Sequence, residues 1–535
     1  MIQERFPLGR RSFQTLSCLL LLLSCQGSLL SAADYFLTIG GGYNPSGNQA
    51  SLEANVVFFQ QLLAEKQQGQ QSHEIYFADG HDTGADLQVL SARRKPPSGL
   101  PATEILAALH RRRGPDAVEY RNHKVPDIAG PLDPALIRQS LEKIARNGRD
   151  GDRLIIYVTA HGSAGQKGDS FDTTIDCWNG KKITAREFTR WIKELPAGMS
   201  VVMVMAQCYC GGFSHTIFDD LRESNGLARQ VRAGFFAQQH NLPAAGCRPD
   251  IDNDEEFSSY FWGAIAGRSR TGSPIEGCDL NNDGHVSFAE AYAYAVAYSN
   301  TIDIPLRTSD VFLRTYSRRS AESSDMPEPI AKDADSPADA TNPSRAESTR
   351  PGASLPPLTG SLQSYIDFSR LPMAQIVKLL SQELGFTLED DAAKVTAAYD
   401  EHRRAGRGAN RPNIRRRPGG GRRELLQEIS EKWPELADPR KWEESPLLRE
   451  ENQEQLLAEL KALPGWKAFD ERRQQQDESR DQPARHELRE VKYRRLLNTL
   501  ESILLEKNLP HVASPDVIQR YQRLMSLEES GLAHQ

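Results

Sequence analysis

Two apolar runs in this chain each deliver a residue suited to chemistry. Val201–Ala206 is β-branched and apolar throughout, which predicts a strand buried on both faces, and it brings Cys208 to its carboxyl end. Gly211 and Gly212 free the turn beyond it. Leu154–Thr159 does the same for a histidine, giving Ala160-His161-Gly162-Ser163. Reacting groups in open α/β sheets gather at the carboxyl ends of strands. Adjacent strands would therefore bring Cys208 and His161 together although 47 positions separate them. A thiol beside an imidazole that can take its proton is a nucleophile for acyl transfer. Either residue alone has a plain structural use, the cysteine as a small buried hydrophobe and the histidine as a polar loop residue. Cys210 is a rival nucleophile, but Gly211-Gly212 predicts that the strand has ended before it.

A second chemical pattern lies downstream. Asp279-Leu280-Asn281-Asn282-Asp283-Gly284-His285-Val286-Ser287-Phe288-Ala289-Glu290 fits the twelve-residue calcium loop. Oxygen donors stand at positions 1, 3, 5, 9 and 12 (Asp279, Asn281, Asp283, Ser287, Glu290), with the His285 carbonyl at 7, Gly284 at the sharp turn and Val286 as the apolar anchor. These residues predict Ca2+ binding. The exiting helix, Phe288–Tyr298, is clear, whereas Arg268–Gly277 shows no entering helix. A single loop of this kind is a structural clip rather than a sensor; the alternative is an acidic turn capping the helix.

The elements that must position these residues alternate. Strand Phe36–Ile39, helix Ser51–Glu65 capped by Ser51, strand Glu74–Ala78, helix Pro134–Arg146, strand Leu154–Thr159, helix Thr184–Leu195, strand Val201–Ala206 and strand Gly234–Ala237 succeed one another. This predicts an α/β fold, a mostly parallel sheet flanked by helices. Gly80–Gly130, rich in proline and arginine, is an excursion from it.

The joint order of apolar run, His-Gly, helix-bearing spacer, apolar run, Cys and small residues resembles the legumain, caspase and gingipain clan of cysteine peptidases. His161-Gly162-Ser163 brings it nearest the legumain-like branch, and the resemblance covers Asp34 to Ser317. It implies a caspase-like sheet and hydrolysis of peptide bonds by a Cys208–His161 dyad. By the same resemblance Asn44 of Tyr43-Asn44 orients the histidine, and the N–H groups of Cys208 and Gly162 form the oxyanion hole. Two departures leave the cleavage preference open. Legumains follow the asparagine with an arginine–histidine pair where this chain has Pro45-Ser46-Gly47-Asn48, and this chain has Ala206 where the clan carries an acidic residue or glutamine. The alternative reading is a calcium-stabilised binding protein that keeps the fold without the chemistry.

The two ends of the chain add context. Arg5, Arg10 and Arg11 precede the apolar Leu16–Leu23, with Ser31-Ala32-Ala33 for cleavage, so residues 1–33 predict an export signal and a periplasmic or extracellular protein. Gly9-Arg10-Arg11-Ser12-Phe13 suggests a twin-arginine signal, a bacterial trait, and Leu23-Ser24-Cys25 a poor lipoprotein box. No later run is long enough to span a membrane. The net charge of −7 and pI of about 6.0 give no reason to expect nucleic acid. Five cysteines lie beyond the signal, so at least one is free; Cys247 and Cys278 are candidates for a bridge. Residues 318–359 predict a disordered linker and 360–535 a charged helical region. Legumains carry a helical segment that covers the active site until removed. The expectation for 360–535 is accordingly a module that binds a partner or the active site.

Overall fold

The computed structural model describes residues 1, 32–66, 72–90, 100–110, 118–246, 256–317, 357–408, 422–438, 442 and 445–532. The export signal (apart from residues 1, 32 and 33), the linker up to 356, the 409–421 arginine-rich stretch and Cys247 lie outside the described residues.

The strands are β1 (Asp34–Gly41), β2 (Ser72–Phe77), β3 (Leu87–Leu90), β4 (Val118–Arg121), β5 (Arg153–Ala160), β6 (Thr174–Asp176), β7 (Lys182–Thr184), β8 (Ser200–Met205), β9 (Arg232–Phe236) and β10 (Leu306–Arg307). Six form one sheet in the order β10-β9-β8-β5-β1-β2. All its pairings are parallel except β10 on β9. The α/β class and the mostly parallel sheet are those the alternating runs predict. Val201–Met205 is fully buried, as a central parallel strand requires. Each such side chain contributes about 2 kcal/mol by leaving water.

Helices α1 (Ala50–Glu65), α2 (Pro101–Leu109), α3 (Pro134–Asn147), α4 (Ala185–Lys193), α5 (Phe257–Ala266), α6 (Phe288–Tyr298) and α7 (Thr308–Tyr316) belong to the first part of the chain. Thr184 caps α4 in a reciprocal box with Glu187, which starts that helix one residue later than the apolar spacing predicts. Ser51 lies inside α1 rather than at its cap, where Gln49 stands with no side-chain capping bond. The 80–130 excursion contains the β3–β4 hairpin and α2.

The strand order turns back at β1, with β2 on one side and β5, β8 and β9 on the other. Loops leaving the carboxyl ends of β1 and β5 therefore run to opposite faces and leave a crevice between them. The β1–α1 loop and His161 stand at that crevice.

The later helices are α8 (Leu362–Phe368), α9 (Leu371–Leu384), α10 (Ala392–Gly408), α11 (Arg422–Lys432), α12 (Pro434–Ala437), α13 (Gln453–Lys461), α14 (Trp466–Val512) and α15 (Pro515–Glu528). They do not stand apart from the sheet. Leu496, Leu500, Tyr521 and Leu524 share one continuous apolar core with β8 and β9. Arg495 of α14 is fully buried and donates to the carbonyls of Val296, Ser299, Thr301 and Asp303, at 3.0, 2.8, 3.0 and 2.8 Å. It thereby satisfies groups at and beyond the carboxyl end of α6, where a cation is also favoured by the helix dipole. Glu528 of α15 accepts from Ser309 N–H and Oγ and pairs with the buried Arg307. Among the described residues no helix is long and apolar enough to cross a membrane.

Candidate active site

His161 comes directly after β5, and its ring is fixed by the loop after β1. Nε2 lies 2.7 Å from the Gly47 carbonyl and 3.0 Å from Oε1 of Gln49. The Gln49 amide nitrogen donates to Ser46 O at 3.0 Å, so its oxygen is the atom turned to the histidine. With two acceptors at Nε2, that nitrogen carries the proton and Nδ1 keeps the lone pair. Tyr43 packs edge-on against the imidazole, ring centroids 5.2 Å apart.

Asn44 does not hold the histidine directly, contrary to the role its Tyr-Asn context implies. It is exposed, and its Oδ1 accepts from Gly47 N–H at 2.9 Å and from Ser46 Oγ at 2.8 Å. The reason is the short helical turn Pro45–Gly47, which Asn44 caps. Asn44 thus shapes the loop, and Gly47 and Gln49 make the contact. Sequence reasoning missed Gln49: a polar residue just before an apolar helix reads as a cap, and its burial is invisible without the fold.

Gly162 explains how the two halves meet. A Cβ there would lie 2.3 Å from the Cys208 carbonyl and 2.8 Å from Gln207 Cγ, so only glycine allows this approach of the β5 and β8 loops. Among the described residues neither the Gly162 nor the Cys208 N–H donates to an oxygen acceptor.

Cys208 is half-buried and free, in the turn after β8, and Tyr209 beyond it adopts the left-handed conformation (φ 60°). Its Sγ accepts from Ala244 N–H at 3.3 Å. Residues 238–246 form a strap over this turn: Tyr209 N–H donates to Leu242 O at 3.0 Å, and Ala245 N–H to Asp303 Oδ1 at 2.7 Å. Cys210 is fully buried and exchanges contacts with the Gln238 backbone, at 3.2 and 3.4 Å, where no substrate reaches it. Cys177 and Cys278 are also free and buried; Cys247, the other candidate for a bridge to Cys278, lies outside the described residues.

The electrostatics keep the pair neutral. Burial pushes the Cys208 thiol up, and the carboxylates of Asp303 and Asp176 add to this. Burial pulls the His161 imidazole down, while the Gly47 carbonyl and Asp176 oppose it. Asp176, on β6, pairs its N–H with the His161 carbonyl at 2.9 Å, and its carboxylate accepts from Ser163 Oγ and Thr174 Oγ1. Thiolate is then scarce at neutral pH and grows with pH. The rate of Cys208 alkylation by iodoacetamide is expected to rise monotonically across the neutral range and into the alkaline one, since burial pushes the thiol above its ordinary range. A plateau below pH 7 would instead reveal a preformed thiolate–imidazolium pair.

The 279–290 loop is folded as a set of turns around its own side chains. Asp279 accepts from Asp283 and Gly284 N–H at 3.2 and 2.9 Å, Asn281 from Asp283 N–H at 3.0 Å, and Asp283 from His285 N–H at 2.9 Å. Gly284 takes φ +88° at the sharp turn. Glu290 accepts from Leu280 N–H and Ser287 N–H, both at 2.8 Å, and so ties the last position of the loop to the second. The upstream helix α5 ends at Ala266, so no helix leads into the loop.

No family model matches this chain, and no curated protein matches it. Among solved structures, protein GSU0716 from Geobacter sulfurreducens is similar over 51% of this chain and 92% of its own, at 11% identity and a TM-score of 0.28. A likeness of that extent carries no argument about activity.

Proposed function

We propose that the protein is an exported cysteine endopeptidase of the legumain and caspase type, acting through Cys208 and His161. The observation that carries this reading is the fixed imidazole. His161 is held at Nε2 by Gly47 and Gln49, with no partner for Nδ1 among the described residues, at the carboxyl end of the sheet where Gly162 packs on Cys208. In the proposed reaction the imidazole takes the thiol proton and sulfur attacks the peptide carbonyl. The imidazolium, stabilised by the Gly47 and Gln49 oxygens, then gives that proton to the leaving amine. In this reading the Gly162 and Cys208 N–H groups receive the oxyanion. Water resolves the acyl-enzyme.

The test is labelling of the mature protein by peptide acyloxymethyl ketones of varied sequence, read by mass. Attachment at Cys208 that requires His161 supports the dyad. No labelling of any form favours the second reading, a calcium-stabilised binding protein, for which the specific observation is the Ala244 strap on the thiol.

Calcium belongs to the same proposal. The donors of Asp279, Asn281, Asp283, Ser287 and Glu290, with the His285 carbonyl, are all oxygens, and the turns already gather three of the side chains; they fit a hard cation. The bound ion would fix the start of α6. Calcium at a hundredfold excess over its dissociation constant stabilises by about 2.7 kcal/mol, so addition is expected to raise the thermal midpoint by about 2–3 °C and chelation to reverse it. Asp279→Ala abolishes the shift. An unchanged midpoint in the parent protein would remove calcium from the account.

A further inference from the structure

At the same end of the sheet, beyond β2, three side chains converge that the dyad does not use. Asp79 comes after β2, Asp86 before β3, and His123 after β4. One donor atom from each lies within 4.8 Å of the others, and His123 Nε2 is 3.8 Å from Asp79 Oδ1. The side chains are buried: His123 is 5% and Asp79 10% exposed, and Asp86 as a residue 1%. Asp79 Oδ1 is buried with no hydrogen-bond partner and faces this cluster. Two carboxylates and an imidazole packed away from water, with one oxygen unpaired, need a shared proton or a cation.

The structure assigns to Asp79, Asp86 and His123 a binding site for a divalent transition-metal ion, of the zinc or manganese class, that fastens the loop holding His161. One imidazole nitrogen and two carboxylates form a mixed donor set of that class. Ligands about 2.1 Å from a tetrahedral ion lie about 3.4 Å apart, so the 3.8 Å separation closes with a small side-chain movement. The Gly80 carbonyl, 2.8 Å from His123 Nε2, lies beside the same centre. Coordination through Nε2 moves the ring proton to Nδ1; it gives up the bond to the Gly80 carbonyl, which is then free to turn to the ion, and the long 3.4 Å contact from Val125 N–H. The supporting bonds are in place: Asp86 Oδ1 accepts from His123 N–H at 2.8 Å and Oδ2 from Asn48 Nδ2 at 3.0 Å. Asn48 in turn accepts from Gly42 N–H at 3.0 Å and stands between Gly47 and Gln49, the two partners of His161.

The effect on the dyad rests on the peptidase reading; the metal site does not, and it is tested without activity. The full mature chain carrying Cys208→Ala, so that no thiol of the dyad can bind metal, is stripped by chelator. It is then titrated with zinc, manganese and calcium, with bound metal counted by mass spectrometry and affinity read by calorimetry. One equivalent of zinc or manganese is expected, with affinity falling at least about a hundredfold in Asp79→Asn and in His123→Gln. Calcium uptake at the 279–290 loop should be unaffected. Should one variant fail to fold, the other carries the comparison. Equal zinc and manganese affinity in parent and variants, or neither metal bound by the folded parent, overturns the site and leaves the carboxylates sharing a proton. In the wild-type thiol protein, restored metal should speed Cys208 probe labelling several-fold. Absence of labelling with metal bound would count against the peptidase reading alone.

Discussion

Replacing Cys208 by alanine is expected to lower peptide hydrolysis by at least about a thousandfold, and His161→Ala by a similar factor. The two losses should not add, because thiol and imidazole act on one proton; the double variant should resemble either single one. The partners of the imidazole give a graded control. Gln49→Ala removes an acceptor 3.0 Å from Nε2 and should reduce kcat about tenfold with little change in KM. Asn44→Ala acts one step further away, through Gly47, and should cost less. Cys210→Ala should keep activity within a few-fold and lose about 1–2 kcal/mol of stability, because its buried sulfur is tied to Gln238. Hydrolysis that survives Cys208→Ala but not Cys210→Ala would overturn the assignment. Survival of both would remove the thiol mechanism.

The positions of His161 and Cys208 past the strand ends are legible in the sequence and the groups that hold them are not, because the interactions differ in range. The runs Leu154–Thr159 and Val201–Ala206 have an apolar pattern that only a doubly covered parallel strand satisfies, and chain continuity then places His161 and Cys208 just past the strand ends. The partners of His161 come from residues 47 and 49, in the loop after β1, and depend on how that loop folds. Asn44 shows the same limit: its local bonding in a capped turn outweighed the role its neighbours suggested. Asp79, Asp86 and His123 are spread over the excursion that had no clear pattern, and only the fold gathers them. The charged C-terminal region misled differently. Its buried face includes Arg495 and Glu528, residues that composition assigns to solvent.

That face makes the second large effect. Ending the chain at Ser317 strips Leu496, Leu500, Tyr521 and Leu524 from the core shared with β8 and β9, each worth about 2 kcal/mol. It also removes Glu528 from the buried Arg307 and Arg495 from four carbonyls. The sum exceeds the margin of about 5–15 kcal/mol by which domains are stable. The truncated protein is therefore expected to lose cooperative unfolding, not to gain activity as it would if these helices were a removable cover. A single change isolates the contact. Arg495→Met keeps most of the side-chain volume but leaves those carbonyls unbonded, and it takes the nearest cation from Asp303, whose carboxyl burial already pushes up to about 6. The expected loss is about 3–5 kcal/mol, about 3–5 °C in a chain of this size. Asp303 holds Ala245, and Ala244 holds the Cys208 sulfur, so the same variant should loosen the strap. At a temperature where it is still folded, Cys208 should be alkylated several-fold faster than in the parent. A truncated protein that is soluble, melts with the parent and hydrolyses peptides faster would show the opposite, that the C-terminal helices restrain the site and can be shed.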